Sequence, residues 1–360
     1  MKQPTLKPGA TPLVSFESGD QYQVDGLIGQ GGFGSVYRGR AIHLGKPMSP
    51  DLCIKITTDV SSWHREAYFG EILRGHAGAV QMHASFVGHQ GPRRPLYCSV
   101  FELCERSIGG ALLDGLRWSE TRALREFRSV VRAVADLHAS GAVHRDITPR
   151  NVLLTFKGHL KLADFGIARH GIAGKVRADA FNPWHAPATI LVGKRHWSPR
   201  EDVWQLGQLL AQLLGARVTR WLRSGDVRRL TSSDRCKALI YRSIGPREYR
   251  FQDAGHMLDQ LGKRTALKFS RVTGLRGRTV VFTGRGSLKR AILWRRTRRA
   301  GGTPVASVSR SVDVVVVGDR SPIWAAGDAG RKILAALQLA DEGHKIRFVK
   351  ESVFLRLASG

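Results

Sequence analysis

The sequence predicts an α+β body joined to a small, basic α/β module, and three observations carry that expectation. Short runs that alternate apolar and polar residues fill Tyr22 to Val100, apolar-periodic helical stretches fill Ser107 to about Leu261, and strand alternates with helix from Thr279 onward. The charge shifts between the two parts as well. From Lys263 to the end the chain carries 21 lysines and arginines against 6 acidic residues, whereas the first 262 residues carry 36 against 23. A charge-dense tail of that kind suggests an anion-binding module appended to something else.

At 360 residues the chain is long for one core, so two or three domains are expected. Its 42% hydrophobic and 24% charged residues describe a globular protein and exclude a disordered one. The net charge of +28 favours nucleic acid, polyphosphate or an anionic membrane surface as partner, or reflects arginine-rich usage in the source lineage. Cys53, Cys98, Cys104 and Cys236 form no CxxC pair and lack matching histidines, so neither a zinc site nor a disulfide framework is implied. The first residues lack a signal-peptide core, and no run reaches the roughly 20 apolar residues that span a bilayer. A cytoplasmic or nucleoid-associated protein is expected on that basis.

Residues 1–18 are polar and contain proline and glycine, which predicts a loose arm. Strand, glycine loop, strand, strand, helix, strand and strand are then expected in that order. "QYQVDGLI", "SVYRGRAI" and "LCIKI" alternate as half-buried strands do, and the pattern turns helical between Ser61 and Leu73. "SETRALREFRSVVRAVADLHASG" opens with Ser119 as an N-cap, repeats apolar residues at three- and four-residue spacing, and stops at Gly141. "PREDVWQLGQLLAQLLG" reads as a buried helix that is almost wholly apolar. Residues 263–274 read as a basic linker and 275–360 as the α/β module.

"IGQGGFGSV" places Gly29, Gly31 and Gly34 as GxGxxG, with Val36 two residues on. A dinucleotide-binding loop with this spacing would open into a helix, but the β-branched, alternating "SVYRGRAI" that follows is a strand. The glycines therefore form a hairpin tip, which can lie over phosphates because no Cβ obstructs the backbone. "VHRDITPRNVLL" then spaces His144, Arg145, Asp146 and Asn151 as a phosphoryl-transfer loop does, and "DFG" follows at Asp164 to Gly166.

In this order, over about 240 residues, the motifs resemble the eukaryotic-like (Hanks-type) serine/threonine protein kinase family, in a bacterial-type version. The resemblance implies the bilobal protein-kinase fold over 19–262, with an N-lobe at 19–101 and a C-lobe at 105–262. It implies ATP with Mg2+, or Mn2+, as cofactor. Lys55 looks like the phosphate-binding lysine, with Glu66 as its ion-pair partner and Glu71 as the alternative. Asn151 and Asp164 match the metal ligands and Asp146 the catalytic base. Gly29, Gly31, Gly34, Val36 and Lys55 would hold ATP, with Phe101 as gatekeeper and Glu102 to Cys104 as hinge. Asp202 in "EDVW" looks like the aspartate that braces the catalytic loop. The chemistry needs such a set because the transferred group carries spread-out negative charge, which fixed cations stabilise.

The sequence departs from the pattern in places. Thr148 replaces a lysine that helps neutralise the phosphate, a charge-assisted bond worth about 1.5 to 3 kcal/mol, and Arg150 is a candidate substitute. Pro149 is retained, which favours serine or threonine hydroxyls. Ala188 stands where a glutamate is expected, so Arg250 lacks that partner and is expected to be exposed or paired elsewhere. The stretch from Ile167 to His185 contains no serine, so activation by loop phosphorylation is not expected.

From Leu275 the markers "VFTG", the Gly301–Gly302 pair, "VVVVGD", "AGRK" and a final "ESVF" with Phe354 resemble a BRCT domain, especially that of bacterial NAD-dependent DNA ligases. This implies a parallel four-stranded sheet with flanking helices. It also implies a phosphate site at Thr283, Gly284 and Lys332. Arg295, Arg296, Arg298 and Arg299 crowd the adjacent helix, which favours a DNA backbone over a phosphorylated protein as ligand. The function expected is a serine/threonine protein kinase that acts on protein hydroxyls, with a DNA- or phosphoprotein-binding module, in DNA-damage or phage-defence signalling. Two alternatives stay open: a phosphotransferase acting on a small-molecule hydroxyl, and a weakly catalytic DNA-binding scaffold.

Overall fold

A computed structural model of the protein describes residues 6–9, 11–31, 34–90, 95–171, 176–177, 185–191, 196–217, 222–262, 269–319, 331–341 and 343–358. The chain divides into two compact units, Met1–Leu213 with Gln252–Leu258 and Leu214–Phe251 with Asp259–Gly360.

The first unit opens with strands β1 (Leu13–Ser15), β2 (Gln21–Gly31), β3 (Gly34–His43), β4 (Lys46–Pro47) and β5 (Leu52–Thr57). Helix α1 (Val60–Ile72) and strands β6 (Met82–His89) and β7 (Leu96–Glu102) follow. The spatial order is β2-β1-β6-β7-β5-β3-β4, and β2 also pairs with β3, so the sheet curls until it meets itself. Alternation decides which side chains fill the curl. Leu52, Ile54 and Ile56 of β5 are buried with Leu13, Tyr22, Tyr37 and Val100, which leaves Lys55 on the opposite face. Helix α1 is capped by Asp59, whose carboxylate accepts the Ser62 N–H at 3.0 Å.

The arm expected over residues 1–18 is, from Leu6 onward, built into this sheet. The Leu6 N–H donates to the Tyr37 hydroxyl at 3.0 Å, the Lys7 N–H to Gln90 Oε1 at 2.9 Å, and the Gly9 N–H to the Val24 carbonyl at 2.9 Å. Leu6 and Leu13 are core residues, and burying two leucines outweighs the polar character of their neighbours. Residues 1–5 and 10 of the arm lie outside the described residues.

Next come β8 (Arg106–Ser107), α2 (Ile108–Leu113) and α3 (Glu120–Ala139). Ser119 caps α3 by accepting the Arg122 N–H, and Gly141 leaves the helix at φ 80°, both as the pattern predicts. Short strands β9 (Ala142–Val143), β10 (Val152–Leu154), β11 (Leu160–Leu162), β12 (Arg169–His170) and β13 (Val176–Arg177) follow, then α4 (Ala188–Leu191), β14 (His196–Trp197) and α5 (Pro199–Leu213). The lobes are stitched together by backbone bonds: Leu162 N–H to Gly78 O at 2.8 Å and Val80 N–H to Leu162 O at 2.9 Å. Helix α5 is buried as expected, yet it is not wholly apolar. Glu201, Asp202, Gln205, Gln208 and Gln212 are all buried at three- and four-residue spacing, a polar stripe inside the lobe.

The remaining helices are α6 (Asp234–Ile244) and α7 (Ala254–Gly262). The tail of the second unit then alternates β15 (Thr279–Thr283), α8 (Arg290–Arg299), β16 (Thr303–Val305), β17 (Val314–Val317), α9 (Arg331–Asp341), β18 (Arg347–Lys350) and α10 (Glu351–Leu357). Its four strands are parallel, in the order β16-β15-β17-β18. The successive residues Val280, Val281 and Phe282 of β15 and Val314, Val315 and Val316 of β17 are all buried apolar side chains because both faces are covered. Phe354 is fully buried, its ring edge-on to Phe282 at 4.9 Å. Gly302 admits no side chain, since a Cβ there would sit 2.9 Å from the Leu275 carbonyl oxygen. Residues 263–268 of the expected linker lie outside the described residues.

Candidate active site

A cavity of about 500 Å³ in the first unit is lined from both lobes. Gly29, Gly31, Gly34 and Val36 line it from the β2–β3 hairpin, Cys53 and Lys55 from β5, and Phe101, Glu102 and Cys104 from the connection between lobes. The glycines are not equivalent. A Cβ on Gly34, which has φ 134°, would lie 2.2 Å from the Ile56 carbonyl oxygen, whereas Gly29 and Gly31 face open space. Gly34 is thus demanded by the neighbouring strand, and the other two leave backbone bare over the cavity.

Lys55 is the centre of the charged set. Its ammonium lies 2.7 Å from Glu66 Oε1 and 2.9 Å from Asp164 Oδ1. Glu71, the alternative partner, is exposed and pairs with Arg74. Burial alone would push the Lys55 ammonium down, but Glu66 and Asp164 outweigh it and hold its pKa above the usual range. The same attraction overcomes burial at Asp164 and holds that carboxyl below its usual range. Asp164 is therefore a fixed anion. Its backbone is strained at φ 62°, and Arg145 at φ 75° is strained likewise, conformations that persist where surrounding structure enforces them.

Asn151 Nδ2 donates to Asp146 Oδ2 at 2.7 Å and to the Asp146 carbonyl at 3.0 Å. The other carboxylate oxygen of Asp146 is buried with no hydrogen-bond partner among the described residues. Burial, reinforced by the charge of Asp164, lifts the Asp146 carboxyl to about 6. An orphaned acceptor with a pKa near neutrality suits a group that takes a proton from a substrate. Among the described residues no three His, Cys, Asp or Glu side chains are placed to hold a metal ion. The amide oxygen of Asn151 and the carboxylate of Asp164 remain, a sparse oxygen set. That fits Mg2+, which keeps waters and takes further oxygens from phosphates.

A second layer holds the loop in place. Fully buried Asp202 accepts the backbone N–H of His144 at 2.7 Å and of Arg145 at 3.0 Å, the indole N–H of Trp197 at 2.8 Å, and lies 3.0 Å from His138 Nε2. Gln205, one turn on, accepts the Ile147 N–H at 2.9 Å and donates to the carbonyls of Arg145 and His185. Sequence reasoning found Asp202 and missed Gln205, although a glutamine in an apolar helix was a visible signal. It also missed the apolar lining at Val80, Leu153 and Ala163, and Arg65 of α1, whose Nε donates to the Gly166 carbonyl at 2.6 Å.

Thr148 is buried, its carbonyl accepting the N–H groups of Asn151 and Val152 in a tight turn. Arg150 is exposed and lines the cavity, and its charge opposes the rise of Asp146. Arg250 is buried, not exposed, and its Nε donates to the Gly245 carbonyl at 2.9 Å, which supplies a partner other than a glutamate at the exposed Ala188. Of Ile167 to His185, residues 172–175 and 178–184 lie outside the described residues. The cavity thiols Cys53 and Cys104 are pushed up to about 12 by burial, so they stay protonated.

In the tail, Thr283 ends β15, Gly284 follows it, and Lys332 Nζ donates to the carbonyl of Phe282 at 3.1 Å. Arg290, not singled out for the phosphate site, joins them by donating to the Gly284 carbonyl at 3.2 Å. Burial and Arg290 both lower the Lys332 ammonium. On α8 the exposed Arg295, Arg298 and Arg299 share one face, whereas Arg296 is half-buried.

The protein kinase domain model matches residues 22–255. A serine/threonine-protein kinase of Arabidopsis thaliana is 34% identical over 54% of this chain and 40% of its own length. A CBL-interacting protein kinase of Oryza sativa subsp. japonica is 31% identical over 54% of this chain and 43% of its own. A calcium-dependent protein kinase of Arabidopsis thaliana is 29% identical over 56% and 42% respectively. The chain thus spans about two fifths of the length of these relatives, and their plant origin gives the expectation of a bacterial-type enzyme no support. With the matched region covering the lobes, the cavity and the charged set together, the chain belongs to the protein kinase family.

Proposed function

We propose that the chain is an ATP-dependent serine/threonine protein kinase carrying a BRCT-like anion-binding module at its C-terminal end. One observation carries the enzymatic half: Lys55 and Asp164, 109 residues apart in sequence, meet at 2.9 Å on the cavity that the glycine hairpin lines. The protein kinase domain uses ATP with Mg2+. Lys55 binds phosphate oxygens, the hairpin covers them, and Asn151 and Asp164 would hold the metal. When bound, that ion neutralises charge on the phosphoryl group being transferred. Asp146 accepts the proton of the incoming hydroxyl on its orphaned oxygen. Arg150 supplies the charge lost at Thr148, and protein serine or threonine hydroxyls are the acceptors.

The module reading is supported by the parallel four-stranded sheet, by Phe354 in its core, and by Lys332 lying against the strand that ends in Thr283. Thr283, Gly284 and Lys332 form its phosphate pocket. Arg295, Arg298 and Arg299, with Arg296 behind them, favour a DNA backbone over a phosphorylated protein. A cytoplasmic or nucleoid-associated enzyme in DNA-damage or phage-defence signalling follows from pairing the two activities.

The test is autophosphorylation with labelled ATP, with and without nicked duplex DNA. Label in protein, increased by DNA, is expected. Label confined to small molecules would refute the protein-kinase reading, and DNA binding indifferent to salt would refute backbone contact.

A further inference from the structure

Ser62, Arg65, Glu66 and Phe69 of α1 stand at i, i+3, i+4 and i+7, one face of the helix, and that face meets the segment from Asp164 to Gly166. Glu66 reaches it through Lys55, which bonds Asp164. Phe69 lies with its ring centre 6.5 Å from that of Phe165. Ser62 covers Gly166 so closely that a Cβ there would be 2.4 Å from the serine hydroxyl. Arg65 makes the shortest tie, Nε to the Gly166 carbonyl at 2.6 Å. A tie is needed because Asp164, at φ 62°, occupies a left-handed conformation that an unrestrained chain would leave. From the residue before Phe69, Tyr68 Oη lies 3.1 Å from His170 Nε2, so α1 also grips the chain beyond Gly166.

We propose that Arg65 is a positioning residue for the metal-binding carboxylate of Asp164, and that it holds the segment without any phosphate on the loop that follows. The guanidinium fixes the peptide two residues past Asp164, and with it the strained backbone that presents the carboxylate to the cavity. The stretch from Ile167 to His185 contains no serine, threonine or tyrosine, so the hold comes from α1 itself. The enzyme would be competent as synthesised. The inference rests on the kinase reading.

The test uses the full chain and the variants Arg65→Ala, Arg65→Gln and Arg65→Lys. Each is titrated with Mg2+ at saturating ADP, and with ADP in a chelator, the melting temperature being read in both series. In the wild type, Mg2+ is expected to raise the melting temperature of the ADP complex. In Arg65→Ala and Arg65→Gln the Mg2+ midpoint should rise about tenfold, the loss of one charge-assisted hydrogen bond, while metal-free ADP binding stays as in the wild type. Arg65→Lys should recover most of the loss. An unchanged midpoint in the alanine and glutamine variants overturns the assignment, as does a parallel loss of metal-free ADP binding, which marks a merely structural arginine. If the alanine variant does not fold, the glutamine and lysine variants carry the same readout. Absence of any Mg2+ effect in the wild type refutes the kinase reading instead. Phosphatase-treated protein should retain its activity, and loss of activity on treatment would overturn the phosphate-free hold.

Discussion

Replacing Asp146 by asparagine should abolish phosphoryl transfer and at the same time stabilise the fold. Lifting this carboxyl from its ordinary 3.8 to about 6 means that ionising it in the folded state costs about 3 kcal/mol more than in the unfolded chain. Below pH 4 both states are protonated and there is no penalty. The penalty grows as pH rises from about 4 to 6 and is complete above that, so wild-type stability falls across this window. Asp146→Asn removes the ionisable group and keeps an acceptor for Asn151. At pH 7.5, without metal or nucleotide, its melting temperature should exceed that of the wild type by up to about 10 °C, given about 2–4 °C per kcal/mol for a domain of this size. The difference should vanish as pH falls toward 4. Differential scanning fluorimetry across that range reads it, and the acid limb of kcat/KM in the wild type should fall near pH 6. A variant no more stable than the wild type at pH 7.5, or an acid limb below pH 5, would refute the account of Asp146 as a buried proton acceptor.

The glycines of the hairpin should separate by position: Gly34→Ala must push against the Ile56 carbonyl and lower thermal stability, while Gly29→Ala, facing open space, should leave stability unchanged and affect ATP affinity alone. Asp202→Asn offers one acceptor oxygen where four donors converge, so it should destabilise the domain by ~3 kcal/mol or more in urea unfolding and abolish label transfer. Reversing Arg295, Arg298 and Arg299 to glutamate should cut the slope of log affinity for duplex DNA against log salt by about 3. An unchanged slope would place DNA elsewhere.

The residues that meet at the cavity were legible because the phosphoryl transfer proposed for it would restrict residue type at each position. Lys55 alternates with Ile54 and Ile56, which fixes its face before any contact is known. What stayed hidden were side chains whose partners are backbone atoms far along the chain. Gln205 serves the peptide of Ile147, 58 residues away, and Arg65 that of Gly166, 101 residues away. Nothing in a sequence marks a carbonyl as needing a donor. Of the two outcomes expected for Arg250, exposure or a partner other than the glutamate, the structure has the second: the guanidinium is buried and donates to the Gly245 carbonyl, a backbone partner that no residue type announces. The polar stripe on α5 is legible in the spacing of Glu201, Gln205, Gln208 and Gln212.

The paired strands β1 and β2 bear on how this molecule can be handled. A boundary chosen at residue 19, where the kinase pattern starts, would strip Leu6 and Leu13 from the interior and unzip one stave of a closed cylinder. Two strands would then show bare amide edges to every neighbouring molecule, and clumping would follow. A shortened form that precipitates would therefore report a missing stave, and a soluble one should begin upstream of Leu6.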